Sequence, residues 1–360
     1  MNSTNNHRVR SALLLTTVLA LTACGGGGGG SSPAPSPSPA PAPAPGPAPA
    51  PDTAPYALQL TAPAPTYAGT DDSGVMETAT FNLLNTVRQG AGAGVLLQST
   101  QLDTSARAHS NYLQLNPTEF SHNETVGRQG FTGDTPQARA TAAGYTGAAA
   151  EEIVGLATLT PPNADGCVRT LLKTMYHMAG LIDGYRDLGV GYKRDVNGAG
   201  YCVLNLGYKG QKQYPAAGTV VTYPFDGQTD AAYNFATSAE FPRPPAVLTG
   251  YVGQPVLASM GSLALVTGDG TNKGTVSTFK ITEKASGNIV PAIVAAPTSI
   301  TVAAGIEKAD DSANDQYYQR HHVLLVPKSP LLPNTGYTVT FAGTFNGVAH
   351  SKTWSFTTGQ

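Results

Sequence analysis

The chain has 360 residues, a formal charge of −2 at pH 7 and 12% charged residues, against roughly 25% in ordinary soluble domains. That length exceeds one ordinary domain and points to two domains plus non-globular segments. The near-neutral balance leaves no basic footprint for DNA, RNA or an anionic bilayer surface, so nucleic-acid partners are set aside.

The first 23 residues read as a targeting segment: Arg8 and Arg10 are followed by a short apolar run from Ala12 to Ala20 and by Leu21-Thr22-Ala23-Cys24. The pattern resembles a bacterial lipoprotein signal, which implies that Cys24 is lipidated and becomes the first mature residue; the alternative is a plain secretory signal with a chance cysteine. The apolar run is too short to span a bilayer as a mature helix. Gly25 after the cysteine is not the Asp-type inner-membrane retention signal, so the expected location is extracytoplasmic, on the outer membrane or cell surface. Residues 24–65 then form a linker, flexible and Gly-rich at Gly25 to Gly30 and Pro/Ala-rich from Ser31 to Pro55, the latter expected as a polyproline stalk of about 75 Å. With Cys24 acylated, the three cysteines leave the pair Cys167 and Cys202. In an oxidising compartment they would form a disulfide; otherwise they are two buried thiols.

Helical periodicity begins at Met76 and continues through Ala79, Leu83, Leu84 and Val87, stopping at Gly90 to Gly94. A second helix is expected from about Thr100 to Gln114. A third starts at Thr135-Pro136, where Thr caps and Pro suits the first turn, and closes at Gly144. Glu151 to Thr158 reads as a short strand, and a fourth helix is expected from about Ala164 to Leu181. Two strands, Leu188 to Lys193 and Tyr201 to Tyr208, flank Asn197-Gly198, a hairpin signal. Residues 211–245 read as a connector.

From residue 246 to 360 the helical period disappears and short β-rich runs alternate with turn residues, as in an all-β sandwich. Leu331-Leu332-Pro333-Asn334-Thr335-Gly336-Tyr337 resembles the tyrosine corner of bacterial Ig-like domains, and the terminal Trp354-Ser355-Phe356-Thr357-Thr358 resembles their last strand. His321 and His322 are adjacent in an expected strand, so they should point to opposite faces and form no common site.

Within residues 66–210, four pieces occur in order: Ala108-His109-Ser110, Phe120-Ser121-His122, Glu151-Glu152-Ile153, and Thr174-Met175-Tyr176-His177 followed by Leu188-Gly189-Val190-Gly191-Tyr192. Together they resemble the CAP superfamily (cysteine-rich secretory proteins, antigen 5, pathogenesis-related 1), in its bacterial secreted branch. The resemblance implies an α+β fold, a CAP-like α-β-α sandwich, ahead of the Ig-like module. It implies a ligand cleft at His122, Glu151 and His177, with Glu152 as a candidate for the family's second glutamate. The sequence departs from the family pattern at Ala150, Glu152, Leu171, Thr174 and Met178, the last replacing an Arg that would contact anions.

Two imidazoles and one carboxylate suit Zn²⁺ with an open fourth position, so His122, His177 and Glu151 are the expected metal ligands and Glu151 the candidate catalytic group. The alternative is a buried hydrogen-bond network in which these groups satisfy one another. His109 lies on an apolar stripe and is expected to be a satisfied core histidine, while Glu152 should point away from Glu151. No Gly-x-Ser-x-Gly elbow and no His-Glu-x-x-His helix occurs, so neither motif supports an enzyme reading. The expected function is a surface-anchored binding module for lipid, sterol-like or protein ligands. A metal-dependent hydrolase or peptidase using the same cleft and an adhesive surface protein are the alternatives.

Overall fold

The computed structural model describes residues 57–67, 72–157, 159–262 and 272–360. The signal segment, Cys24 and the linker up to residue 56 lie outside the described residues. The end of the expected linker is not a spacer. Val95 N–H donates to Gln59 O (2.8 Å), the Gln59 amide donates to Val95 O and Arg186 O (2.9 Å each), and Thr66 N–H reaches Gln98 Oε1 (2.7 Å). The chain is therefore strapped to the first module before residue 66.

That module contains α1 (Asp72–Ala91), β1 (Leu97–Gln98), α2 (Thr100–Leu115), α3 (Pro136–Ala142), β2 (Ala148–Leu156), α4 (Gly166–Leu172), α5 (Tyr176–Ile182), β3 (Asp187–Arg194) and β4 (Gly200–Tyr208). Local chemistry sets several boundaries. Ser99 caps α2 by accepting from Leu102 N–H, and Thr135 caps α3 by accepting from Ala138 N–H with Pro136 in the first turn. The sheet runs β1-β3-β4-β2, with β1 parallel to β3 and the other pairs antiparallel. A Cβ on Gly189 would stand 2.1 Å from the Leu102 carbonyl carbon, and one on Gly191 2.2 Å from that of Ala106. The Leu188-Gly189-Val190-Gly191 run is therefore a two-sided surface. Its glycines admit the backbone of α2, while Leu188 and Val190 join the core shared with α1.

The single helix expected over residues 164–181 is two, α4 and α5. Thr174 Oγ1 donates to Leu171 O (2.8 Å), and the Glu240 carboxylate accepts from the N–H groups of Met175 (2.7 Å) and Tyr176 (2.6 Å). A distant carboxylate thus satisfies backbone donors that a continuous helix would have bonded internally. Cys167 in α4 and Cys202 in β4 form a disulfide with Cα atoms 5.9 Å apart. Closing that 35-residue separation is worth about 4 kcal/mol in the chain-entropy model.

The second module comprises β5 (Val221–Tyr223), β6 (Phe235–Ala236), β7 (Tyr251–Val252), β8 (Val256–Ser259), β9 (Gly274–Glu283), β10 (Ala292–Ala295), β11 (Ile300–Val302), β12 (His322–Pro327), β13 (Gly336–Phe345) and β14 (Val348–Thr357). Two four-stranded sheets, β10-β12-β8-β5 and β11-β9-β13-β14, form a β-sandwich, and β6 pairs with β7. The stretch 211–245 is more than a connector, since β5 is an edge strand of the sandwich, paired with β8. The Tyr337 hydroxyl accepts from Leu332 N–H (2.8 Å), the contact that the corner motif implies. The whole is α+β, an α-β-α module followed by a β domain.

The modules share a core. Leu257, Leu324 and Val326 lie in one buried cluster with Met76, Leu84, Leu171, Met178 and Leu181 of the first module. Their neighbours Val256, Ala258, Val323 and Leu325 lie in a second cluster with Ile281, Val339, Phe341 and Trp354 of the other sheet. The sheet β10-β12-β8-β5 is thus covered on both faces, which is why β8 and β12 are buried at every position. Among the described residues no helix is long and apolar enough to cross a membrane.

Candidate ligand and metal cleft

Alternation along β2 sends its two glutamates to opposite sides, as expected. Glu151 enters a sealed network. Arg139 Nη2 donates to both of its oxygens (2.8 and 2.9 Å), and the Asn205 amide, oriented so that both ends are matched, donates to Oε2 (2.9 Å) and accepts from Ala106 N–H (3.1 Å). His109, fully buried, approaches Glu151 Oε1 at 3.5 Å, meets Glu124 Oε1 through Nδ1 (2.9 Å) and the Ser121 carbonyl through Nε2 (3.0 Å). It is the satisfied core histidine that its position on α2 suggested. Burial works against the Glu124 charge, but bonds from His109 and Thr132 N–H and the charge of Arg139 hold its carboxyl below the usual range.

Glu151 is therefore not the carboxylate that completes the His122 and His177 set. His122 Nδ1 lies 3.4 Å from Glu151 Oε1, but both carboxylate oxygens are committed to Arg139 and the Glu151 side chain is fully buried. The residues that converge are His122, Glu152 and His177, whose candidate ligand atoms all lie within 4.8 Å of one another. Glu152 packs on α5, where a Cβ at Gly180 would stand 2.5 Å from its Oε1, and its Oε2 is 3.8 Å from His177 Nε2. Burial pushes the Glu152 carboxyl up to about 7, against the opposing pull of His177 and His122.

His177 stands in the first turn of α5, opposite the helix's core-facing residues. Its Nδ1 is 3.3 Å from Glu240 Oε1 and 3.2 Å from Thr174 Oγ1, so Nε2 is the nitrogen directed to Glu152. Burial disfavours the imidazolium, yet the Glu240 bond and the charges of Glu152 and Glu240 outweigh it and raise the His177 pKa. A carboxylate on the far nitrogen is the arrangement that fixes tautomer and ring orientation in ligating histidines. The same carboxylate caps α5, so one residue from 32 positions after β4 both breaks the expected helix and aims its histidine.

His122 and His177 line a cleft of about 350 Å³ whose walls include Phe120, Ile153, Gly155, Leu156, Leu171, Thr174, Ala239 and Phe241. Its lips are apolar and exposed, Phe120 at 47% and Phe241 at 81%. Phe120 tilts against Tyr201 at 6.5 Å between ring centres. Glu124, Arg139, Asn205 and Glu240 escaped the sequence reading. The first three belong to no motif singled out there, and Glu240 lies in a stretch without periodicity.

The model of the CAP family, described as the cysteine-rich secretory protein family, matches residues 81–206. The match runs from α1 to β4 and contains the Phe-Ser-His, the β2 glutamates and His177. Residues 81–206 are a CAP domain. The chain is similar to an extracellular protein containing an SCP domain from Bacillus anthracis, at 19% identity and TM-score 0.32, covering 38% of this chain and 41% of that one. An outer surface protein from Borrelia burgdorferi is similar at 14% identity and TM-score 0.30, covering 36% of this chain and 89% of that one. The chain thus spans less than half of the first of these proteins. No curated protein matches it. The CAP match ends before Glu240 and Phe241, so the cleft borrows a wall from outside the CAP domain.

Proposed function

We propose that the chain is an extracytoplasmic, surface-tethered binding protein whose cleft takes a lipid- or sterol-like ligand, with the ligand's apolar body between Phe120 and Phe241 and its polar end toward His177. The observation that supports this is the pair of exposed aromatic lips over a mostly apolar trough of about 350 Å³, a size within the usual range for small-molecule sites. The tether is the lipid on Cys24, and the disulfide fits an oxidising compartment. A fluorescent fatty-acid probe tests the reading. Binding should saturate at one site, and Phe241→Asp should weaken it at least about tenfold, the cost of roughly one lost apolar side-chain contact, while leaving the melting temperature unchanged. Equal probe affinity in the variant would refute it.

His122, Glu152 and His177 also fit Zn²⁺ as a donor set of two imidazoles and one carboxylate, and the Glu240 contact holds His177 in a ligating orientation. A bound ion there would supply Lewis acidity toward an anionic head group. The hydrolase or peptidase reading rests on Glu152, whose carboxyl, titrating near 7, is suited to proton transfer at neutral pH. Ester or peptide hydrolysis abolished by Glu152→Gln and retained in Phe241→Asp would move the function to that reading.

A further inference from the structure

At the other end of α5 lies a second cluster of the same composition, outside the CAP cleft. Asp183 caps the C-terminus of α5, and His321 and His322 stand where the chain enters β12. The strand begins at His322, so His321 belongs to the preceding turn and the alternation that would have sent the two rings to opposite faces does not apply. The rings meet at 4.5 Å between centres, and both Nε2 atoms approach Asp183 Oδ1, at 3.4 Å from His321 and 3.9 Å from His322. All three side chains are at least 98% buried.

Among the described residues, Asp183 Oδ1 and all four ring nitrogens of His321 and His322 have no hydrogen-bond partner. Buried unpaired polar atoms cost about 1–3 kcal/mol each and are rare, so three that face one another, Asp183 Oδ1 and the two Nε2 atoms, call for something that satisfies them together. The neighbouring cations are already engaged elsewhere: Lys212 donates to Asp183 Oδ2, and Arg88 donates to the carbonyls of Leu181 (2.6 Å) and Asp183 (2.7 Å). Oδ1 alone faces the imidazoles. In a tetrahedral site with bonds of about 2.0–2.1 Å, ligand atoms stand about 3.3–3.4 Å apart. The His321 to Asp183 edge already has that length, and the His322 edge would contract by about half an ångström.

We propose that Asp183, His321 and His322 form a closed binding site for a borderline divalent cation of the zinc class, which clamps the CAP domain to the β-sandwich. Asp183 belongs to the CAP side and both histidines to the sandwich, so the ion ties the two modules. Two imidazoles and one carboxylate oxygen provide three ligand atoms, with a small ligand completing four-coordination. Lys212 acts as an outer partner that orients the carboxylate. Tyr214 packs edge-on against His321 at 5.2 Å, closing the site from the 211–245 stretch.

The test uses the full chain carrying His122→Ala and His177→Ala, which silences the cleft. After chelator treatment, Co²⁺ titration should give one equivalent bound with the intense visible absorption of a tetrahedral ion, and Zn²⁺ should displace it. Asp183→Asn should abolish that signal. Gly261→Ala should also weaken it by at least about tenfold, because the new Cβ would stand 2.5 Å from His321 Cδ2 and displace a ligand without deleting it. Should either variant fail to fold, melting of the cleft-silenced parent decides: Zn²⁺ at about a hundredfold excess over Kd should raise its melting temperature by about 5 °C or more. No tetrahedral Co²⁺ spectrum and no zinc-dependent rise in melting temperature would overturn the proposal, as would an undiminished signal in a folded Asp183→Asn variant.

Discussion

The two ends of α5 carry the same three chemical groups in opposite settings. At the N-terminal end, His122 and His177 line an open cleft, with Glu152 beside His177: the His122 side chain is 42% exposed, and His177 is held by Glu240 and Thr174. At the C-terminal end, Asp183, His321 and His322 are sealed, and their facing atoms have no hydrogen-bond partner among the described residues. Composition therefore does not decide what such a cluster does; solvent access and outer partners do. An open set with one oriented histidine can exchange ligands, whereas a sealed set straddling two modules can only hold them together. Both are built from the same seven-residue helix, with the β-sandwich or the stretch leading to it completing each end.

The sharpest way to break the comparison is to delete one acidic or one imidazole group at each end. Asp183→Ala should destabilise the protein by about 3–5 kcal/mol, because it leaves Lys212 buried without its counter-charge. His177→Ala should cost about 1 kcal/mol or less, since its partners retain other bonds or contact with water. Urea unfolding of both variants measures the gap, and similar losses would erase the distinction.

A second experiment separates the ends by metal uptake. Glu240→Gln should lower Zn²⁺ affinity at the cleft by about 10–100-fold through loss of His177 orientation. The buried cluster should be unaffected. Calorimetry on Glu240→Gln with and without Asp183→Asn resolves the two events; a fall at the buried end instead would mean that α5 transmits the change as a rigid unit.

A smaller effect is expected on the lips. Phe241→Ser should reduce affinity for an apolar ligand by about 1–2 kcal/mol with little change in stability, because the ring is already 81% exposed. Isothermal titration with the fatty-acid probe reads the first quantity and thermal melting the second.

The smallest effect provides a scale for an ordinary carboxylate away from both clusters. Burial opposes the Asp315 charge, but Thr298 N–H (2.6 Å) and Arg320 hold its pKa below the usual value. A depressed folded-state pKa contributes stability above the unfolded value of about 3.9, and that stability is lost as pH falls through the folded value. Asp315→Asn should therefore cost about 1 kcal/mol at about pH 7 and progressively less toward about pH 3, measured as urea midpoints. A loss independent of pH would mean that the contact is steric rather than ionic.

Much of the first module was legible because its signals are local. The Ser99 and Thr135 caps, the Asn197-Gly198 hairpin and the Cys167–Cys202 pair depend on residues near each other in sequence or on simple counting. The Leu188-Gly189-Val190-Gly191 run was recognised as a motif, although its reason, the close approach of α2, is tertiary. The continuous apolar run Val323 to Val326 already carries the mark of a strand buried on both faces; nothing local says that α1, α4 and α5 cover one of them.

By itself, then, the sequence determined the α+β class, the order of elements, the CAP resemblance, and the fact that histidines and glutamates would gather near β2 and α5. Only the tertiary structure decided which glutamate joins which histidine. Period-two alternation put Glu151 and Glu152 on opposite faces, but it took Arg139 on α3 to claim Glu151 and the packing of α5 to set Glu152 beside His177. Glu240 and the Asp183 cluster were hidden for the same physical reason. Their partners lie 63 and about 138 residues away in the chain, and a charge or an orphaned nitrogen acquires meaning only when folding removes the water that would otherwise satisfy it.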